Sequence, residues 1–213
     1  MLGVKVSGPA IAAPPWRDLP ERIRAFVAVR FDSEVERKIG AFIADEQRSG
    51  DGLSWVRPAN LHLTLRFLGD AAETRLVADL ATELSAAVSG YGTFTVRLRG
   101  LGVFPDLQRP RVFWVGLDSP RLVPLAASVE TAARRCGFAP ERRPFEPHLT
   151  LARIRRGRVS GRVRHIVERH TGSDFGVSEI DRLILYRSHL QPGGSRYDEL
   201  ASFALAAPDS VAR

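Results

Sequence analysis

Residues 57–70 read RPANLHLTLRFLGD and residues 143–154 read RPFEPHLTLARI. Each stretch has Arg-Pro, a three-residue spacer and then His-Leu-Thr-Leu, and these two tetrapeptides hold two of the chain's five histidines. The separation of His62 and His148 is 148 − 62 = 86. The same shift carries Arg57-Pro58 onto Arg143-Pro144, Asp32-Ser33 onto Asp118-Ser119, and VAVRF (27–31) onto FWVGL (113–117). The register therefore holds without a gap from Val27 to Leu65. Two copies at so long a period are not a solenoid. They indicate a duplicated half-molecule, each copy holding a strand, a helix, a loop and an HLTL strand. Two α+β lobes facing one another are the natural architecture, with one histidine from each.

The local patterns agree. Residues 23–31, IRAFVAVRF, predict a strand. Asp32 and Ser33 are placed to cap a helix reaching about residue 48, with Val35, Ile39, Phe42 and Ile43 on one face. LSWV and HLTLRFLG predict strands, and residues 73–88 an amphipathic helix. FTVRLRGLGVF and RVFWVGL predict strands around a proline-containing loop at 105–110. Residues 120–136 predict a helix that Gly137 ends. PHLTLARI predicts a strand, 159–170 a helix, and 175–188 and 197–205 strands joined by Pro192-Gly193-Gly194.

The 213 residues, 44% hydrophobic and 26% charged, suffice for a core without staples. The single cysteine, Cys136, excludes an internal disulfide and a multi-cysteine metal site, fits a reducing compartment, and reads as helix packing. No apolar run nears the roughly 18 residues of a membrane span. Residues 1–21 are expected to be a flexible extension without the pattern of a signal peptide, and residues 22–213 a single bilobal domain. The net charge is +7, and only Lys5 and Lys38 are lysines. An arginine-rich surface leans toward anionic partners such as nucleic acid, although the total charge alone decides little.

Side chains alternate along a strand. His62 and Thr64 therefore share one face while Leu63 and Leu65 take the other, and His148 and Thr150 repeat this against Leu149 and Leu151. If the polar faces meet across a cleft, two imidazoles can divide acid and base work, and two hydroxyls with a nearby arginine can hold phosphate oxygens. A two-histidine metal site would need further ligands. No Asp, Glu or Cys stands at comparable positions in both copies, since Glu146 corresponds to Asn60.

These residues resemble the two-histidine phosphoesterases, and most closely the RNA 2′,3′-cyclic phosphodiesterases, also called 2′-5′ RNA ligases. The matching pieces are RAFVAVRF, NLHLTLRFLGD, GLGVFPDLQRPRVFWVGL, RPFEPHLTLARI and LILYRSHLQPGGSRYDEL, in family order from residue 22 to 205. The resemblance implies an α+β, bilobal, pseudo-twofold fold, with two antiparallel sheets lining a central cleft and helices outside. It implies metal-independent, cofactor-free hydrolysis of a 2′,3′-cyclic phosphate on an RNA end or nucleotide, leaving a 2′-phosphate. His62 would be the general acid toward the 3′ oxygen and His148 the general base toward water. Thr64, Thr150 and Arg153 would hold the phosphate. A cytoplasmic monomer without a membrane is the expected setting.

Ideal alternation places Arg153, five residues after His148, on the leucine face, unless a bulge brings it round. Arg66, four after His62, has the better parity and is a weaker second candidate. Phe104, Trp55 and Tyr197 are candidates for stacking on a base, and Arg109 and Arg111 for touching RNA backbone. His165, His170 and His189 have no partner motif. Two alternatives use the same cleft: 2′-5′ phosphodiesterase or ligase chemistry, and a non-catalytic module that binds RNA ends.

Overall fold

The structure is a computed structural model that describes residues 16–154, 160–192 and 194–206. Residues 1–15 of the expected extension, residue 159 of the expected last helix and Gly193 of the expected turn lie outside the described residues. Residues 16–21 are described, and Trp16 and Leu19 pack against the core. Thr74 donates from its amide to the Glu21 carbonyl (2.9 Å) and from its hydroxyl to the Pro20 carbonyl.

In chain order the elements are β1 (Arg22–Val29), α1 (Ser33–Glu46), β2 (Leu53–Trp55), β3 (Leu63–Glu73), α2 (Thr74–Val88), β4 (Phe94–Phe104), β5 (Val112–Asp118), α3 (Leu122–Arg135), β6 (His148–Ile154), α4 (Ser160–Arg169), β7 (Asp174–Ile180), β8 (Arg182–Gln191) and β9 (Gly194–Ala204). All strand pairings within the two sheets are antiparallel, in the orders β3-β1-β8-β9 and β2-β6-β5-β4-β7. The α+β class and the two antiparallel sheets agree with the expectation.

The duplication is interleaved rather than split lobe by lobe. β1 and β3 of the first half share a sheet with β8, while β4 of the first half joins β5 and β6 of the second. The helices cross over as well. α1 packs on β7 of the five-stranded sheet, and α3 packs on α2 and β3 of the four-stranded one. Each half therefore completes the other's lobe.

The apolar faces predicted by helical spacing are the buried ones. Val35, Ile39 and Ile43 of α1, Val77, Leu80, Leu84 and Val88 of α2, and Leu122, Leu125, Ala126 and Val129 of α3 all enter one continuous core with the inner faces of both sheets. α3 ends as its sequence predicts. Gly137 has φ +92°, and the pair of bonds Phe138 N–H to Ala133 O (3.1 Å) and Gly137 N–H to Arg134 O (3.0 Å) closes the terminus. Cys136 sits at that end, packed against the core.

Two local expectations change. Asp32 does not cap α1 with its side chain. Its carboxylate accepts from the Glu179 amide (2.9 Å) and its own amide donates to Ser178 Oγ (2.7 Å), so it fastens the start of α1 to β7. The single strand expected over 175–188 is two strands in different sheets. The chain leaves one sheet after Ile180 and enters the other at Arg182, and the Asp181 carbonyl between them accepts from the Leu205 amide (2.7 Å). Periodicity shows that both segments are extended and cannot show which neighbours they pair with. Among the described residues no helix is long and apolar enough to cross a membrane.

Candidate active site

His62 stands directly before β3 and His148 opens β6. Leu63, Leu65, Leu149 and Leu151 are buried, whereas His62, Thr64, His148 and Thr150 remain partly accessible. The alternation read from the two tetrapeptides is thus the alternation of the folded strands.

The two imidazoles are held alike. His62 Nδ1 lies 2.7 Å from the Asn60 carbonyl oxygen, and His148 Nδ1 lies 2.7 Å from that of Glu146. A carbonyl only accepts, so each Nδ1 carries the hydrogen and Nε2 is left as the working nitrogen. His62 Nε2 accepts from the Thr64 hydroxyl at 3.1 Å. Asn60 and Glu146 are themselves related by the shift of 86. Their side chains differ, and the shared function is in the backbone. This is why comparing side chains could not reveal the orienting group.

Arg153 joins the histidines through a bulge that occurs in both copies. On β5, consecutive Phe113 and Trp114 face Ala152 and Thr150, so Leu151 is an added residue in β6. On β1, consecutive Val27 and Ala28 face Arg66 and Thr64, so Leu65 is the added residue in β3. Each bulge reverses the parity of the residues after it. Ala152 and Ile154 turn into the core and Arg153 turns out. Arg153 is close enough for its charge to act on both histidines.

The same bulge removes Arg66 from the cleft, correcting its favourable parity. Arg66 is buried, pairs with Glu130 (2.6 Å) and Glu141 (3.4 Å), and donates to the Phe67 carbonyl (2.6 Å). It ties β3 to α3 and the segment behind it.

Aromatic rings pack against both imidazoles. The His62 ring lies 4.9 Å from Phe26 and 5.3 Å from Tyr197, the latter edge-on. Phe104 meets His148 edge-on at 4.9 Å. Tyr197 and Phe104 are therefore at the site, while Trp55 is not: it packs on core residue Phe113 and donates its indole N–H to Asp51 (3.0 Å). Arg109 and Arg111 are exposed in the loop between β4 and β5. His170 and His189 are engaged with Glu46 (3.1 Å) and Asp198 (2.7 Å) outside the cleft.

Sequence reading missed several neighbours. A cavity of about 60 Å³ beside His62 is lined by the expected Tyr197 and by the unforeseen Arg30 and Tyr186 among others. Phe26, Ala28, Ile184 and Tyr186 form an apolar floor separate from the main core. The signal was available: positions 24, 26, 28 and 30 of RAFVAVR alternate with the buried Ala25, Val27 and Val29. In an apolar run, however, neither face announces itself as the polar one.

Electrostatics favour neutral imidazoles in the free enzyme. Loss of solvation, aided by the charges of Arg30, Arg153 and His148, pushes the His62 pKa down to about 4, against the opposing bond to Asn60. His148 is also lowered, first by burial and then by Arg153, with the Glu146 carbonyl and carboxylate acting in the opposite sense. The site combines two oriented Nε2 atoms, two hydroxyls and a cation. It can accept a proton on one side of a bound phosphorus and donate one on the other.

Comparison with known proteins agrees with this geometry. The sequence profile of the LigT like Phosphoesterase family matches twice in tandem, over residues 31–114 and 115–197. The chain is 32% identical over 186 residues to the RNA 2′,3′-cyclic phosphodiesterase of Methanothermobacter thermautotrophicus, covering 86% of this chain and 100% of the relative. It is 34% identical over 182 residues to the enzyme of that name from Archaeoglobus fulgidus, covering 85% and 99%. The fold superposes on Escherichia coli LigT complexed with 3′-AMP with TM-score 0.70 and 28% identity, over 87% of this chain and 99% of the other. With paired histidine motifs on equivalent strands of a duplicated fold, and both halves matched by one profile, the chain belongs to the LigT-like phosphoesterase family.

Proposed function

We propose that this enzyme hydrolyses the 2′,3′-cyclic phosphate of RNA ends and nucleotides, without a metal ion, to leave a 2′-phosphate. The observation that carries the reading is the matched pair of imidazoles, each pinned through Nδ1 to a backbone carbonyl two residues earlier, with Thr64, Thr150 and Arg153 beside them. The names of the curated relatives support the same substrate class.

His148 Nε2 takes a proton from water as its oxygen attacks phosphorus. The P–O3′ bond breaks, and His62 Nε2 gives a proton to the departing 3′ oxygen. The phosphate stays on O2′. Thr64, Thr150 and Arg153 stabilise the charge on the non-bridging oxygens. In the free enzyme His62 is unprotonated at neutral pH. The anionic substrate loads it, because a negative charge in a partly desolvated cleft raises both imidazole pKa values.

The test is product analysis. Adenosine 2′,3′-cyclic phosphate incubated with EDTA should yield the 2′-monophosphate by chromatography. A 3′-monophosphate product reverses the assignment of the leaving oxygen, and chelator-sensitive turnover counts against metal-free catalysis. The same reading takes the enzyme as a cytoplasmic monomer, and its mass in solution by sedimentation checks the latter.

A further inference from the structure

The two halves differ at one position beside the site. The shift of 86 carries Phe67 onto Arg153, so the first copy has a ring where the second has a cation. The structure restores the charge from the neighbouring strand. The Arg24 guanidinium lies over the Phe67 ring, 4.5 Å from its centroid. Phe67 also packs with the apolar floor that holds Phe26 and Tyr186. Ile23, Ala25 and Val27 of β1 are buried in the core, so Arg24 shares the cleft face with Phe26. It stands one two-residue step, about 7 Å, beyond the ring that touches His62.

Arg24 is near enough to Arg153 for the two charges to interact. Burial and then the charge of Arg153 lower the Arg24 pKa. With Arg153 assigned to the reacting phosphate, a second anion beside Arg24 relieves the remaining repulsion from its own side. The carboxylate paired with Arg24 is Asp70, which is 75% exposed, whereas Arg24 is 27% exposed. Such an exposed partner holds the arginine ready and yields readily to a phosphate.

We propose that Arg24, seated on Phe67, binds the phosphodiester one nucleotide upstream of the reacting phosphate, so that the cleft selects an RNA end over a free cyclic nucleotide. The inference rests on the activity proposed above. A mononucleoside cyclic phosphate carries one phosphate, which the proposed activity seats at the histidines, and so brings no anion for Arg24; a dinucleotide carries a second.

The experiment compares kcat/KM for adenosine 2′,3′-cyclic phosphate with that for the dinucleotide ApA ending in a 2′,3′-cyclic phosphate. Wild type should favour the dinucleotide. Arg24→Gln should reduce dinucleotide turnover by roughly 10-fold to 100-fold, the worth of one charged hydrogen-bonding contact, and reduce mononucleoside turnover several-fold less. Arg24→Lys, which keeps the charge without the planar fork, should retain part of the preference and secures the test if the glutamine variant is unstable. Asp70→Asn removes the ion pair but not the cation, and should keep the preference. The slope of dinucleotide log KM against log salt should be shallower by about 0.7 in Arg24→Gln, as for one lost phosphate contact. Equal losses on both substrates, or an Asp70→Asn that behaves like Arg24→Gln, overturns this inference and leaves the proposed activity standing. Turnover of neither substrate by wild type overturns both.

Discussion

His62 and His148 are each flanked by leucine on the strand side and share the same tether, yet their surroundings set their acidity apart from free imidazole. The proposed acid and base roles require the form with His148 neutral and His62 protonated, which is a minor species of the free enzyme at neutral pH. Because both pKa values lie below the usual 6.5, that of His62 at about 4, kcat/KM should follow a bell with both limbs below pH 6.5. The kcat profile should lie at higher pH, because it reports the complex in which the phosphate raises both groups. A kcat/KM profile with its optimum above pH 7 would contradict the electrostatics described here. The depressed pKa also bears on stability. An unfolded His62 binds its proton near pH 6.5 and the folded one only near 4, so the unfolded state holds the additional proton between these values and stability falls as pH falls through that window. His62→Gln should therefore flatten the decline of Tm between pH 6.5 and 4, and an unchanged slope sinks the claim. His, Thr and Leu at these positions were readable from sequence because alternation sorts them by polarity. The Asn60 and Glu146 carbonyls were not, because a backbone group has no residue-type signature.

At the scale of the strand, the deciding feature is the bulge shared by β3 and β6. One inserted residue, Leu65 or Leu151, exchanges the destinations of the side chains beyond it. Ideal parity predicted Arg66 in the cleft and Arg153 in the core, and the structure shows the reverse. Leucine is an ordinary strand residue, so nothing in its identity marks the insertion. Arg153 was recoverable from the resemblance alone. The two arginines should separate cleanly on mutation. Arg66→Met leaves Glu130 without its cation and should lower stability by roughly 2–4 kcal/mol in denaturant melts, somewhat less than a fully buried pair, with kcat/KM within about threefold of wild type. Arg153→Met should do the opposite, with a Tm near wild type and kcat/KM down by roughly 10-fold to 100-fold. Gly102 is a second strand-level constraint. A Cβ there would lie 2.2 Å from the Trp114 ring, and Trp114 is the cross-strand neighbour of Thr150. Gly102→Val should displace that ring and reduce activity together with stability; wild-type kinetics in this variant would show that the ring does not support Thr150.

Across the whole molecule, duplication was legible in the constant shift of 86, and interleaving was not. The pattern of each segment records its own period and burial, while the choice of partner strand depends on chain paths between lobes. The exchange of β4 and β8 has a thermodynamic consequence. A fragment of residues 16–119 contains β1 and β3 without β8, and the β4-β5 pair without its neighbours β7 and β6. It should fail to fold alone, giving poorly dispersed amide resonances, whereas the full chain should melt in one calorimetric transition. Two separate transitions would mean that the lobes are independent. Interleaving also explains how two histidines 86 residues apart come near one another: each HLTL strand borders the other's lobe within a single core. The division of proton transfer between them is tested most directly by the turnover of adenosine 2′,3′-cyclic phosphate, in EDTA, by wild type, His62→Ala, His148→Ala and the double variant. Each single change should lower kcat on the order of 10²–10⁴-fold, with the double variant little worse than the poorer single one, as for groups acting as a unit. Either single variant retaining a rate within about threefold of wild type would contradict the account.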